Sequence, residues 1–143
     1  MASAASADEA LRAAVQVVHE ASSRHDWTGI YLMEGDRELV LAHFIGEPSP
    51  HVRIPLERGI CGAAARERAT VIVPDVLADA RYLSCSIRTR SEIVVPIMQD
   101  GIVLGEIDID SHTRAAFDDS DRVELEQVAA AIAERLAVKE PDR

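Results

Sequence analysis

Two cysteines and a short run of acids are the side chains of this sequence best suited to chemistry. Cys85 sits in Arg81-Tyr82-Leu83-Ser84-Cys85-Ser86-Ile87-Arg88-Thr89-Arg90, with three arginines within five positions and no acid between Asp79 and Glu92. Nearby cations favour the thiolate, the nucleophilic form of the side chain. Cys61 follows Gly59-Ile60 at a predicted helix start, where the partial positive charge of the helix end also favours thiolate. The plainer readings are a buried, inert cysteine in a loop for Cys85 and a small core residue among small neighbours for Cys61. Downstream, Glu106-Ile107-Asp108-Ile109-Asp110-Ser111 alternates acid with hydrocarbon, so its acids share one face of a strand. Carboxylates gathered in one place repel one another. They persist there when they serve a metal, a cationic ligand or a shared proton. At a wet sheet edge the same residues would simply be solvated. Trp27 and Tyr31 flank Gly29 on one face of a predicted strand, where they line a small-ligand pocket or pack the core.

Several other chemistries find no support. His19, His25, His43, His51 and His112 show no paired metal-ligand spacing. A zinc set from His43, His51, Cys61 and Cys85 matches no standard pattern, so no metal is expected. There is no phosphate-binding glycine loop, dinucleotide fingerprint or nucleophile elbow.

These side chains must be positioned by an alternation of helices and short strands. Ser6 with Glu9 has the pattern of a capping box, and Leu11, Ala14, Val15, Val18 and Ala21 recur at helical spacing, which predicts a helix over about 6–23. Leu125, Val128, Ala129, Ile132 and Leu136 predict a second over about 119–138, with Asp118 or Ser120 as N-cap. Between them, strands are expected at 28–33, 38–44, 71–73, 92–98 and 102–110, a short helix at 59–67, and a mostly irregular stretch at 75–90. Residues 47–50 read as a loop or short extended stretch. The fold class is α+β: a central antiparallel sheet with the N- and C-terminal helices packed on one face. One domain is expected over 1–143, with a core of about 6–138.

The last hairpin sets where the acids point. A two-residue loop at Asp100-Gly101 pairs Ile93 with Asp108 and mixes charge with hydrocarbon on both faces. A three-residue loop, Gln99-Asp100-Gly101, pairs Glu92 with Asp108 and gathers Ile93, Val95, Ile97, Val103, Gly105, Ile107 and Ile109 on one apolar face. The three-residue loop is therefore expected, with Glu92, Asp108 and Asp110 on the opposite face.

Composition bounds the partners. The 143 residues are 48% hydrophobic and 28% charged, with 25 acidic against 15 basic side chains and a net charge of −10. That balance argues against nucleic acid and anionic membrane surfaces. No apolar run approaches the ~20 residues of a membrane span, and no secretory leader is recognised at the N-terminus. Two cysteines suit a cytoplasmic protein with reduced thiols.

Trp27-Thr28-Gly29-Ile30-Tyr31, Gly59-Ile60-Cys61-Gly62, Val73-Pro74-Asp75-Val76, Cys85, Ser91-Glu92-Ile93-Val94-Val95-Pro96 and Gly105 through Ile107-Asp108-Ile109-Asp110-Ser111 together resemble the free methionine-(R)-sulfoxide reductases, which are GAF-domain enzymes. The resemblance runs from about residue 27 to 130. It implies that Cys85 is the nucleophile, that Glu92, Asp108 and Asp110 hold the amino acid and assist the sulfoxide, and that Trp27 and Tyr31 line the pocket. It implies no bound cofactor, an external thiol reductant such as thioredoxin, and a homodimer. Cys61 matches a second family cysteine. A third, about ten residues before Cys61, is His51 here, so Cys61 or an external thiol must resolve the oxidised nucleophile. The alternative reading is a non-catalytic GAF module that binds a ligand or senses redox state.

Overall fold

A computed structural model of the protein describes residues 4–83 and 86–138. Helix α1 spans Ala4–Glu20, α2 Gly59–Glu67 and α3 Asp119–Val138. The strands are β1 (Trp27–Glu34), β2 (Glu38–Ile45), β3 (Arg53–Pro55), β4 (Val71–Val73), β5 (Ser91–Gln99) and β6 (Ile102–Ser111). They form one sheet in the order β3-β2-β1-β6-β5-β4, with every neighbouring pair antiparallel. The acid-bearing strand β6 is therefore central, not an edge. No helix among the described residues is long and apolar enough to cross a membrane.

The two faces of the sheet are covered differently. On one, Leu11, Val15 and Val18 of α1 and Leu125, Ala129 and Ile132 of α3 pack on Ile93, Val95, Ile107 and Ile109. Each valine, leucine or isoleucine among them, fully buried, contributes about 1.5–3 kcal/mol. This is the expected arrangement of the terminal helices on one face. On the other face α2 brings Ile60, Cys61, Ala64 and Ala65 against Tyr31, Leu39, Ile54 and Val94. Small residues face the sheet from α2, and Gly62 lets the β3–α2 connection close on the helix: a Cβ there would stand 2.6 Å from the Leu56 carbonyl oxygen.

Three expectations need correction. Helix α1 begins at Ala4, so Ser6 lies inside it rather than at its N-cap, and it ends at Glu20 rather than at 23. Its alanine-rich start propagates the helix past the capping signal. Residues 53–55 form a strand that their short, proline-ended sequence does not announce. The β5–β6 hairpin closes through two residues, Asp100 and Gly101, both at positive φ (54° and 79°), with Gln99 opposite Ile102. A bulge then shifts the register between Ile97 and Met98, so that Glu92 faces Asp110, and Asp108 faces Val94.

The extra bulge residue restores the parity that a plain two-residue loop would lose. Ile93, Val95, Ile97, Ile107 and Ile109 consequently share the apolar face as expected. Val103, on the turn side of the bulge, packs on the opposite face, and Leu104 takes its place. For α3 the cap is Asp118: its Oδ1 accepts from the Ser120 and Asp121 amides, and Asp121 Oδ2 accepts from the Asp118 amide.

Gly105 lies where β6 runs closest to β1. A Cβ there would fall 2.3 Å from the Tyr31 carbonyl oxygen, a backbone atom that cannot swing away. Gly105→Ala is expected to lower stability by about 1–3 kcal/mol or more, as overpacking does, read from the midpoint of urea denaturation.

Candidate active site

The register places the acids in a row. On the α2 face of β6, Glu106, Asp108 and Asp110 lie opposite Tyr31, Gly29 and Trp27 of β1. On the other flank, β5 offers Pro96, Val94 and Glu92 to the same three positions. Four carboxyls thus share one face, and all are buried: Glu92 is 5% exposed, Glu106 0%, Asp108 2% and Asp110 3%. The solvated-edge reading of these acids is excluded. Glu106 belongs to the cluster but was not singled out from the sequence, although its place in the alternating run was the available signal.

Helix α2 closes the row from above with Cys61, whose thiol donates to Asp108 Oδ2 at 3.4 Å. The helix-start argument for a thiolate fails here. Burial, followed by the charges of Asp108, Glu106 and Glu92, pushes the Cys61 thiol well above its ordinary pKa. A helix end stabilises charge by a fraction of the cost of desolvating it beside carboxylates.

The acids move the same way. Burial and then the Asp108 charge push Glu106 well up, and burial and then the Asp108 charge do so for Asp110. Burial raises Asp108, while hydrogen bonding to Glu92 and Cys61 pulls it back. Glu92 exerts the same pull on Asp110. A hydrogen bond between two carboxyl groups requires a proton on one of them. The cluster therefore retains protons at pH values where separate carboxylates would have none. Both Glu106 oxygens, Asp108 Oδ1 and Asp110 Oδ1 have no hydrogen-bond partner among the described residues.

This has a measurable consequence. As pH rises above about 4.3, the ordinary glutamate value, the unfolded chain loses a proton that folded Glu106 keeps. Folding stability should fall over that range, until the folded group ionises as well. Glu106→Leu should remove the unpartnered buried carboxyl, raise stability by about 1–3 kcal/mol at neutral pH, and flatten the decline. Denaturation midpoints measured across pH for both proteins check this.

The remaining predicted residues divide. Trp27 stacks on Phe44, with ring centroids 5.8 Å apart, and its Nε1 donates to the Glu47 carbonyl at 2.9 Å. A Cβ at Gly29 would stand 2.3 Å from the indole, so the missing side chain is what lets the ring lie across β1. Trp27 walls a cavity of about 130 Å³ with Asp26, Glu47, Ser86, Arg88 and Asp110. Tyr31 is fully buried in the α2-side core, and its hydroxyl donates to the His51 carbonyl at 2.9 Å. It is not among the residues that line that cavity, and its ring stands 6.5 Å from that of Trp27, centroid to centroid. A second space of only about 10 Å³ lies among His51, Cys61, Leu83, Glu92 and Asp108.

Cys85 lies outside the described residues. Its sequence neighbours Leu83 and Ser86 line the smaller and the larger of these spaces, respectively. The charge of its arginines is partly answered: Arg81 pairs with Asp79 at 2.7 Å, and Arg88 pairs with Glu47. Arg90 Nη1 donates to the Ile87 and Thr89 carbonyls.

Comparison with known proteins adds to this geometry. The family model described as GAF domain matches residues 6–136. GAF domain-containing protein A of Dictyostelium discoideum is 41% identical over 102 residues, which cover 71% of this chain and 64% of that protein. The chain thus spans less than two thirds of that relative's length. Free methionine-R-sulfoxide reductase of Escherichia coli is 35% identical over 121 residues, covering 85% of this chain and 72% of that one. The structure of a type II free methionine-R-sulfoxide reductase from Thermoplasma acidophilum superposes with a TM-score of 0.88 at 38% identity, covering 92% of this chain and 93% of that one.

Proposed function

Because the chain belongs to the GAF domain family, with a buried acid cluster under one cysteine, we propose that it is a thiol enzyme reducing free L-methionine (R)-sulfoxide to methionine. The observation that carries this is the convergence of Glu92, Asp108 and Asp110 on one face, opening at Asp110 into a cavity walled by Trp27 and Ser86. The likeness to reductases of that name supports the choice of substrate and epimer.

The chemistry follows from the protonation of the cluster. A sulfoxide is a poor electrophile until its oxygen is protonated or strongly hydrogen-bonded, and a carboxyl kept neutral by burial supplies that proton. The ionised members of the cluster hold the α-ammonium of the free amino acid, which a methionine within a peptide lacks. Cys85 thiolate attacks the sulfoxide sulfur. The oxygen passes to the cysteine sulfur, which loses two electrons as the substrate sulfur gains them, leaving methionine and a cysteine sulfenic acid. A reductant thiol condenses with the sulfenic acid, releasing water and forming a mixed disulfide. A second thiol then frees Cys85 and leaves the reductant as a disulfide. Cys61 is a poor resolving group in its described position, because its thiol is disfavoured from ionising. An external dithiol such as thioredoxin fits better.

Steady-state assays with a dithiol reductant test this reading. Free methionine (R)-sulfoxide should be turned over many times per chain. Its N-acetyl derivative, without the ammonium, should show kcat/KM lower by on the order of 10²-fold or more. Binding without repeated turnover would favour the ligand-binding or redox-sensing module instead.

A further inference from the structure

The cluster also has the composition of a metal site, independently of any reductase activity. Cys61 Sγ and one carboxylate oxygen each from Glu92 and Asp108 lie within 4.8 Å of one another, and all three residues are buried. They project from α2, β5 and β6, rigid elements packed in one core. Tetrahedral zinc with sulfur and oxygen ligands keeps them about 3.5 Å apart, from bond lengths near 2.3 and 2.1 Å. Cys61 Sγ and Asp108 Oδ2 already stand at 3.4 Å.

Two further observations point to a cation. Asp108 Oδ1 and both oxygens of Glu106, fully buried, have no partner among the described residues. Glu106 and Cys61 lie close enough for each to perturb the other. Buried polar atoms left without partners call for an explanation, and an ion is one of the few that satisfies several at once. The space among Cys61, Glu92 and Asp108 is about 10 Å³. A water needs at least about that much, so the room suits a bare ion better than a hydrated one.

We propose that the reduced protein binds one thiophilic divalent cation of the zinc class through Cys61, Glu92 and Asp108, with Glu106 as a further buried carboxylate beside Cys61. As the metal–sulfur bond forms, the thiol proton leaves to solvent. The same carboxylates then cannot receive an α-ammonium, so cation and free amino acid exclude each other.

Cobalt titration of the chelator-stripped Cys85→Ser protein tests the site, since Cys61 is then the sole thiol of a chain with two cysteines. The expected result is one Co(II) per chain with a thiolate-to-cobalt charge-transfer band, displaced by zinc. Asp108→Asn in the same background should weaken binding at least about tenfold, and Glu92→Gln provides the same arm should the first variant fail to fold. Absence of the band, or an affinity unmoved by either substitution, would overturn the proposal. Because Cys85→Ser removes the proposed nucleophile, the outcome is read without reference to turnover.

Discussion

Replacing Cys85 with serine should abolish methionine formation, lowering kcat by at least about 10³-fold, because a neutral hydroxyl is a far weaker nucleophile than a thiolate and no second group stands in for it. Free methionine sulfoxide should still bind, since the proposed ammonium contact is to carboxylates rather than to sulfur. A KD within a few-fold of the native protein, from calorimetry, separates loss of chemistry from loss of the pocket. Cys61→Ser should behave differently. Its thiol is buried, held by Asp108 and disfavoured from ionising, so turnover with a small dithiol should fall only a few-fold. Loss confined to Cys61→Ser would place the reaction on the other sulfur.

The second large effect is expected at Asp110, where the acid row meets the larger cavity. Asp110→Asn removes a member of the proton-sharing set with Glu92 and, with it, the proton that burial keeps on Asp110. Loss of general-acid assistance alone is typically 10²–10⁴-fold, so kcat/KM should drop by about 10²-fold or more. The pH profile carries the sign. Thiolate formation raises the rate as pH rises, and loss of the shared proton lowers it at higher pH. Burial lifts the folded pKa of Asp110, so the acid form persists above the usual carboxylate range and the native profile should be bell-shaped. Asp110→Asn should displace the descending limb, whereas a purely structural role would lower the whole curve without moving it.

Much of this architecture was legible because alternation in β5 and β6 encodes faces. Isoleucine at 93, 97, 107 and 109 and acid at 92, 106, 108 and 110 leave one consistent assignment of inside and outside. The register was misjudged for a specific reason. An Asp-Gly turn with both residues at positive φ closes the hairpin, but an uninterrupted ladder from that turn would have mixed the faces. The bulge on the Val103-Leu104 side resolves the conflict, and its only trace in sequence is the unbroken apolar run Ile102-Val103-Leu104.

What sequence could not supply was the second cover. The run Cys61-Gly62-Ala63-Ala64-Ala65 suggested a short helix without saying that it lands on the acids. That contact rests on Ile60 and Ala64 filling the face opposite the terminal helices, and on Gly62 letting the preceding connection close on the helix at the Leu56 carbonyl. Burial of four carboxyls, the suppression of the Cys61 thiolate and the membership of Glu106 all follow from that one placement. None is a property of local sequence.

A single-turnover experiment bears most directly on whether one sulfur and this acid cluster act on the same molecule. Reduced protein is mixed with free methionine (R)-sulfoxide without reductant, and the product and the trapped sulfenic acid are read by mass spectrometry. One methionine per chain should appear, with the trap on Cys85, and its formation should slow by about 10²-fold or more when Glu92 or Asp110 has been neutralised. Formation of methionine undiminished by those substitutions, or oxidation found on Cys61 with Cys85 untouched, would contradict the account.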